Sequence, residues 1–175
     1  MKLTGKPLEY LIALVKHYEG LHDGDLKTIG LQPKMCPAGY WTEGYGIVIT
    51  DSKGKMLRGS DNKALAYKYS KIKTETQAIE ALLPALATRE WFIEKLGLKA
   101  NDFQKASLIS MCYNIGSGNF QKSSLLKAIR SGASKSEIDI CFRKWNKSGG
   151  EILPGLDKRR TCESYLYLIN ELKIF

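Results

Sequence analysis

No run of the chain approaches the roughly 18 apolar residues that a membrane span needs, although hydrophobic residues make up 43% of its 175 positions. The N-terminal MKLTGKPLEYLIALVKHYEG places Lys2 and Lys6 ahead of an apolar stretch. Pro7, Glu9, Tyr10 and Lys16 interrupt that stretch, and no small-residue cleavage site follows, so it does not read as an export signal. The four cysteines, at 36, 112, 141 and 162, form neither a CxxC pair nor a Cys/His metal spacing. In a chain this long they do not read as a disulfide framework. Cys112 and Cys141 lie among core-like residues and read as buried thiols. No metal or organic cofactor is implied. Acidic residues are also in deficit: 18 against 27 lysines and arginines, a net charge of +9. Such a charge draws a protein to polyanions and anionic surfaces. Zinc spacing and RNP-like aromatic boxes are both missing, so no nucleic-acid partner is expected.

What is present has two textures. Leu8, Leu11, Ile12 and Val15 recur at helical spacing behind Pro7, predicting an amphipathic helix that stops near Tyr18-Glu19, with Gly20 as its cap. From Gly20 to Gly59, glycines punctuate short β-prone pieces, and Asp23-Gly24 and Lys53-Gly54 are turn signals. A sheet of two or three strands with long loops is expected there. Beyond it the pattern is helical. Thr74 with Gln77 reads as a capping box, and Pro84 is expected to kink or end the helix it opens. Asn101 or Asp102 opens FQKASLISMCYNIG, Ser123 or Ser124 opens LLKAIRSG, and Ser136 opens EIDICFRKW. A last helix runs from about 157 to 172. The expectation is an α+β fold of one domain: about 1–72 as a first helix and small β lobe, and 73–175 as a larger helical lobe.

Glu19 is the first candidate for chemistry. A carboxylate at a helix C-terminus, beside an apolar stripe, is biased toward its protonated form by the helix dipole and by desolvation. A carboxylic acid that holds its proton suits cleavage of a glycosidic bond, where the leaving oxygen must be protonated. The segment CPAGYWTEGYG, residues 36–46, follows. Pro37-Ala38-Gly39 makes a tight turn with Cys36 and Thr42 on either side. Thr42 enters a strand with Trp41 and Glu43 facing the other way.

These residues resemble the phage-type lysozyme (endolysin, muramidase) family, whose motif is Glu, then Asp or Cys, then Thr in a Trp-Thr-x-Gly-x-Gly context. Tyr18-Glu19-Gly20-Leu21, Cys36-Pro37-Ala38-Gly39 and Trp41-Thr42 with Gly44 and Gly46 carry the resemblance. Tyr113-Asn114-Ile115-Gly116, Ser123, Leu125-Leu126, Trp145-Asn146, Gly149-Gly150 and Pro154-Gly155-Leu156 extend it over nearly the whole chain. The resemblance implies a lysozyme-like fold with the active-site cleft between the two lobes. It implies hydrolysis of the β-1,4 bond between N-acetylmuramic acid and N-acetylglucosamine in bacterial peptidoglycan. Glu19 would be the general acid, Cys36 and Thr42 would flank the attacking water, and Val48, Tyr113 and Ser123 would line the sugar groove. Trp41 is expected to pack the small lobe, and Arg159-Arg160 to bind peptide stems or face solvent. The partners implied are peptidoglycan and the anionic envelope surface, met by a monomer that stays in the host cytoplasm until another agent releases it to the wall.

Three departures stand out. The stretch between Glu19 and Cys36 exceeds the family's usual spacing, implying an inserted loop at about Asp23 to Gln32 that edges the cleft. Ile47 replaces a histidine that often follows Gly-x-Gly. Cys36 stands where many relatives carry Asp, and a thiol is a poorer base than a carboxylate unless its thiolate is favoured. Asp23, Asp25 and Glu43 are candidate substitute carboxylates. Two other readings use the same residues: a lytic transglycosylase relying on Glu19 alone, and a lysozyme-like module that binds peptidoglycan without cutting it.

Overall fold

A computed structural model describes residues 1–175. The chain folds into two compact units, residues 19–84 and residues 1–18 with 85–175. The α+β expectation holds, with a small antiparallel sheet in the first unit and most of the helices in the second.

In the sheet unit, β1 (Lys34–Met35), β2 (Trp41–Glu43) and β3 (Ile47–Val48) form an antiparallel sheet in that order. The register pairs Lys34 with Thr42 and Met35 with Trp41, then Thr42 with Val48 and Glu43 with Ile47. Side chains alternate across a sheet and directly paired residues share a face. Lys34, Thr42 and Val48 therefore lie on one face, and Met35, Trp41, Glu43 and Ile47 on the other. Trp41 packs into a small core with Ile49, Leu57 and Ala66, flanked by Tyr67 and Tyr69. Its indole donates to the Gly59 carbonyl at 2.8 Å, so Trp41 packs this unit as expected. Ala66, Tyr67 and Tyr69 belong to α2 (Lys63–Tyr69), a two-turn helix with no capping side chain, which the sequence pattern did not announce.

Glu43 is buried, and one of its oxygens accepts from the Ser70 hydroxyl (2.9 Å) and from the backbone N–H groups of Lys71 (2.8 Å) and Ile72 (3.0 Å). It ties the strand to the chain that follows α2. The loop from Asp23 to Gln32 is also closed by its own acids. Asp23 accepts from the backbone of Asp25 and Gln32, and Asp25 from Lys27 and the Thr28 hydroxyl. Gly24 donates to the Gln32 carbonyl, joining the two ends. All three substitute carboxylates are thus engaged in holding backbone.

The helix α3 (Glu75–Lys95) starts in the sheet unit and ends in the helical one. The Thr74–Gln77 capping box forms in both directions. Pro84 does not end this helix, which continues through it despite the missing N–H.

The helical unit holds α1 (Gly5–Glu19) up to Tyr18, the second part of α3, and α4 (Asp102–Ile115), α5 (Ser117–Lys122), α6 (Ser124–Ser131), α7 (Lys135–Arg143) and α8 (Pro154–Ile169). A two-residue-strand hairpin, β4 (Lys147–Ser148) and β5 (Glu151–Ile152), turns at Gly149-Gly150. Asn101 caps α4 through a capping box with Gln104. Residues 106–112 are buried continuously, so α4 is the central helix. The cap of α7 is Ser134 rather than the expected Ser136: Ser134 closes a box with Glu137, whereas Asp139, three residues after Ser136, accepts from Arg143 and Ser164 instead.

Arg159 and Arg160 correct the sequence reading, for neither faces solvent. Arg159 Nε lies 3.1 Å from Glu163 Oε1 and Arg160 Nε 3.1 Å from Glu163 Oε2, all three buried. Arg160 also donates to Asn114 Oδ1 at 2.9 Å. Across from them, Ser107 donates to the Glu163 carbonyl (2.6 Å) and Ser110 to its carboxylate (2.8 Å), fastening α8 to α4. The cations are therefore structural, as buried charges that are paired and hydrogen-bonded usually are.

Candidate active site

Glu19 closes α1, and Gly20 after it adopts φ 67°, the left-handed turn that ends a helix and for which glycine carries no steric penalty. The chain then reverses along the sheet. His22 donates its backbone N–H to the Gly44 carbonyl at 2.8 Å and forms an antiparallel bridge with that residue. This short pairing brings the end of α1 to the turn between β2 and β3.

Two contacts define the neighbourhood. Glu19 Oε2 would lie 3.4 Å from a Cβ on Gly46, whose φ is +82°. A bare backbone therefore borders the carboxylate at the far side of the β2–β3 turn. On the sheet, the His22 imidazole Nδ1 is 2.7 Å from the Thr42 hydroxyl, and that hydroxyl lies 2.8 Å from the Lys34 carbonyl, to which it donates. Glu19, His22, Thr42 and Gly46 thus converge from the helix end, the bridge, β2 and the turn.

Cys36 sits just past β1. Its N–H donates to the Tyr40 carbonyl and its carbonyl accepts from Gly39 N–H, each at 2.8 Å, so the Pro37-Ala38-Gly39 turn forms as read. Cys36 lies two residues beyond Lys34, past the end of β1, and is half-buried. Val48, paired with Thr42, shares its face and is half-buried. Burial holds the His22 imidazole below its ordinary value, and the Lys34 charge adds to this. The Glu19 charge and backbone carbonyl act the other way.

The family model for phage lysozyme matches residues 24–163 of this chain. The chain belongs to the phage lysozyme family. Two curated relatives are similar along most of its length. The endolysin of Bacillus phage B103 is 30% identical over 162 residues, 93% of this chain and 54% of that protein. The endolysin of Acyrthosiphon pisum secondary endosymbiont phage 1 is 30% identical over 160 residues, 89% of this chain and 93% of that protein. The chain thus spans about half the length of the first and nearly all of the second. Among solved structures, the endolysin from Escherichia coli O157:H7 phage FAHEc1 superposes with a TM-score of 0.71 at 24% identity, covering 99% of this chain and 97% of that one. That superposition establishes a lysozyme-like fold.

The remaining predicted residues, Tyr113 and Ser123, lie in the helical unit. Tyr113 is half-buried near the end of α4. Ser123 is buried as the N-cap of α6, where its hydroxyl donates to the Phe120 carbonyl at 2.7 Å and accepts from Leu126 N–H at 3.1 Å. Its hydroxyl proton is engaged within the protein. His22 is the residue that sequence reasoning missed. A lone histidine three positions after Glu19 carries no motif, and its contact with Thr42 arises from the long-range bridge to Gly44. The signal available was its rarity, as one of two histidines in the chain.

Proposed function

We propose that this protein is an endolysin: a muramidase that hydrolyses the β-1,4 bond between N-acetylmuramic acid and N-acetylglucosamine in bacterial peptidoglycan. The observation that carries the reading is the convergence of Glu19 with Thr42 and its partners at the β2–β3 turn. Glu19 protonates the glycosidic oxygen as the bond to the anomeric carbon breaks. A water held beside Cys36 and Thr42 adds to that carbon, and its proton leaves through the solvent or a neighbouring acceptor. The products are a free hydroxyl on the departing sugar and a reducing end on the other. General acid catalysis of this kind is worth about 10²–10⁴ in rate.

By the family resemblance, Val48 on the Thr42 face is assigned to sugar binding, as are Tyr113 and Ser123 of the helical unit, Ser123 through its backbone because its hydroxyl is engaged. The net charge of +9 draws the enzyme to an anionic envelope, where its substrate is. No helix is long and apolar enough to cross a membrane.

The test is digestion of purified peptidoglycan by the wild type and by Glu19→Gln, with the soluble fragments identified by mass spectrometry after borohydride reduction. Reducible N-acetylmuramic ends are expected from the wild type and not from the variant. A Glu19→Gln protein that cuts at full rate would overturn the assignment, as would 1,6-anhydro ends in the wild-type digest.

A further inference from the structure

We propose that His22 is a positioning residue that fixes Thr42 as a hydrogen-bond acceptor toward the attacking water, an inference that rests on the muramidase reading above. A hydroxyl has one proton to give and two lone pairs. The Thr42 proton is directed at the Lys34 carbonyl, 2.8 Å away, and a carbonyl can only accept. The 2.7 Å contact between Thr42 Oγ and His22 Nδ1 must then be filled by a proton on the imidazole. The ring is thereby held with Nδ1 protonated, and the Thr42 oxygen keeps a single free lone pair and no free proton.

That arrangement decides how a water can sit. A water at Thr42 has to donate one of its own protons to the hydroxyl oxygen. Its lone pairs are left pointing elsewhere, available to the anomeric carbon. Had Thr42 been free to rotate, it could donate into one of those lone pairs and blunt the nucleophile. His22 removes that option from a rigid position, because its backbone is bonded to Gly44. Glu19 and Lys34 are the charged groups that act on the ring, one from the end of α1 and one from β1. Burial, helped by Lys34, favours the neutral ring, while the Glu19 charge and its backbone carbonyl favour the charged one; the placement of a proton on Nδ1 rests on the Thr42 geometry alone.

The experiment compares His22→Ala, His22→Asn, Thr42→Val and the His22→Ala/Thr42→Val pair with the wild type, reading kcat and KM from release of soluble muropeptides. The asparagine amide nitrogen takes the place of Nδ1 and can donate as the ring does. His22→Ala is expected to lower kcat about ten-fold or more with KM little changed. His22→Asn is expected to recover most of that loss, and His22→Ala to cost less than about two-fold once Thr42 is already valine. An unimpaired kcat in His22→Ala, no recovery in a folded His22→Asn, or a full His22→Ala effect in the valine background would each overturn the proposal. Should the variants fold poorly, ring ¹⁵N shifts of the wild type decide the matter. A protonated Nδ1 supports the proposal, and a bare Nδ1 overturns it. Glu19→Gln run alongside separates the two levels. An inactive Glu19→Gln with an unimpaired His22→Ala sinks only the role of His22, whereas a fully active Glu19→Gln sinks the muramidase reading itself.

Discussion

Thr42 and Glu43 are consecutive, both buried and both polar, yet the two faces of the sheet use them in opposite ways. On the Glu43 face a single carboxylate oxygen gathers three donors, two of them backbone N–H groups, and the surroundings are the Trp41 core. On the Thr42 face, groups from separate parts of the chain meet around one hydroxyl that still has a lone pair to offer. Structural polar groups saturate one another, whereas a site keeps some hydrogen-bonding capacity for a ligand. The contrast gives Glu43, although the nearest acid to Thr42 in sequence, a use in holding backbone on the opposite face.

Paired substitutions test that contrast most directly. Thr42→Val is expected to lower kcat about 100-fold, equivalent to ~2.7 kcal/mol of lost transition-state stabilisation, while thermal unfolding shifts comparatively little. Glu43→Ala should do the reverse. Leaving the Lys71 and Ile72 N–H groups without their acceptor costs about 2–3 kcal/mol, or roughly 5–10 °C in Tm, with kcat per folded molecule retained. If Glu43→Ala lowered kcat as much as Thr42→Val does, the division between the faces would fail.

A finer comparison uses two glycines. Gly46 and Gly54 have nearly the same backbone, φ +82° and +78°, but a Cβ on Gly46 would touch Glu19 Oε2 whereas one on Gly54 meets nothing within 4 Å. Alanine at either position should cost about 1–2 kcal/mol in backbone strain by chemical denaturation. Only Gly46→Ala should also slow turnover. Equal rates for the two variants would show that the carboxylate does not depend on the bare backbone beside it.

The smallest effect expected is on pH and stability. The His22 pKa is lowered in the folded state relative to its ordinary 6.5, chiefly by burial. Just below pH 6.5 the unfolded chain therefore binds the proton more readily than the folded one, so this group's contribution is full at higher pH and declines as pH falls toward the folded pKa. Denaturant melts at pH 7 and at mildly acidic pH should show a decline that is shallower in His22→Asn. An equal decline in both proteins would remove His22 as its source.

The local signals in the sequence were dependable where one side chain answers a neighbour. The Thr74–Gln77 box and the glycine that ends α1 formed as read, and of the two caps open for α4 it is Asn101 that forms. Misreadings came where partners lie far along the chain or where a nearer pair competes. Ser136 lost the cap of α7 to Ser134, whose Glu137 stands at the right spacing. Arg159 and Arg160 looked like surface cations because their burial depends on α4, some fifty residues earlier, which supplies Ser110 and Asn114. The same reason hid His22, since nothing local in Glu-Gly-Leu-His announces a bond to Thr42. Short elements such as α2 and the β4–β5 hairpin carry too few residues for a periodic pattern.

The four thiols have one more consequence. Cys112, Cys141 and Cys162 are buried, and Cys36 alone is partly open to solvent. An alkylating reagent applied to the folded protein therefore has one ready target, two residues beyond Lys34, which pairs with Thr42. The chain comes with its own stoichiometric label: one thiol modified per molecule reports a folded chain, and more than one reports that the buried three have been laid open.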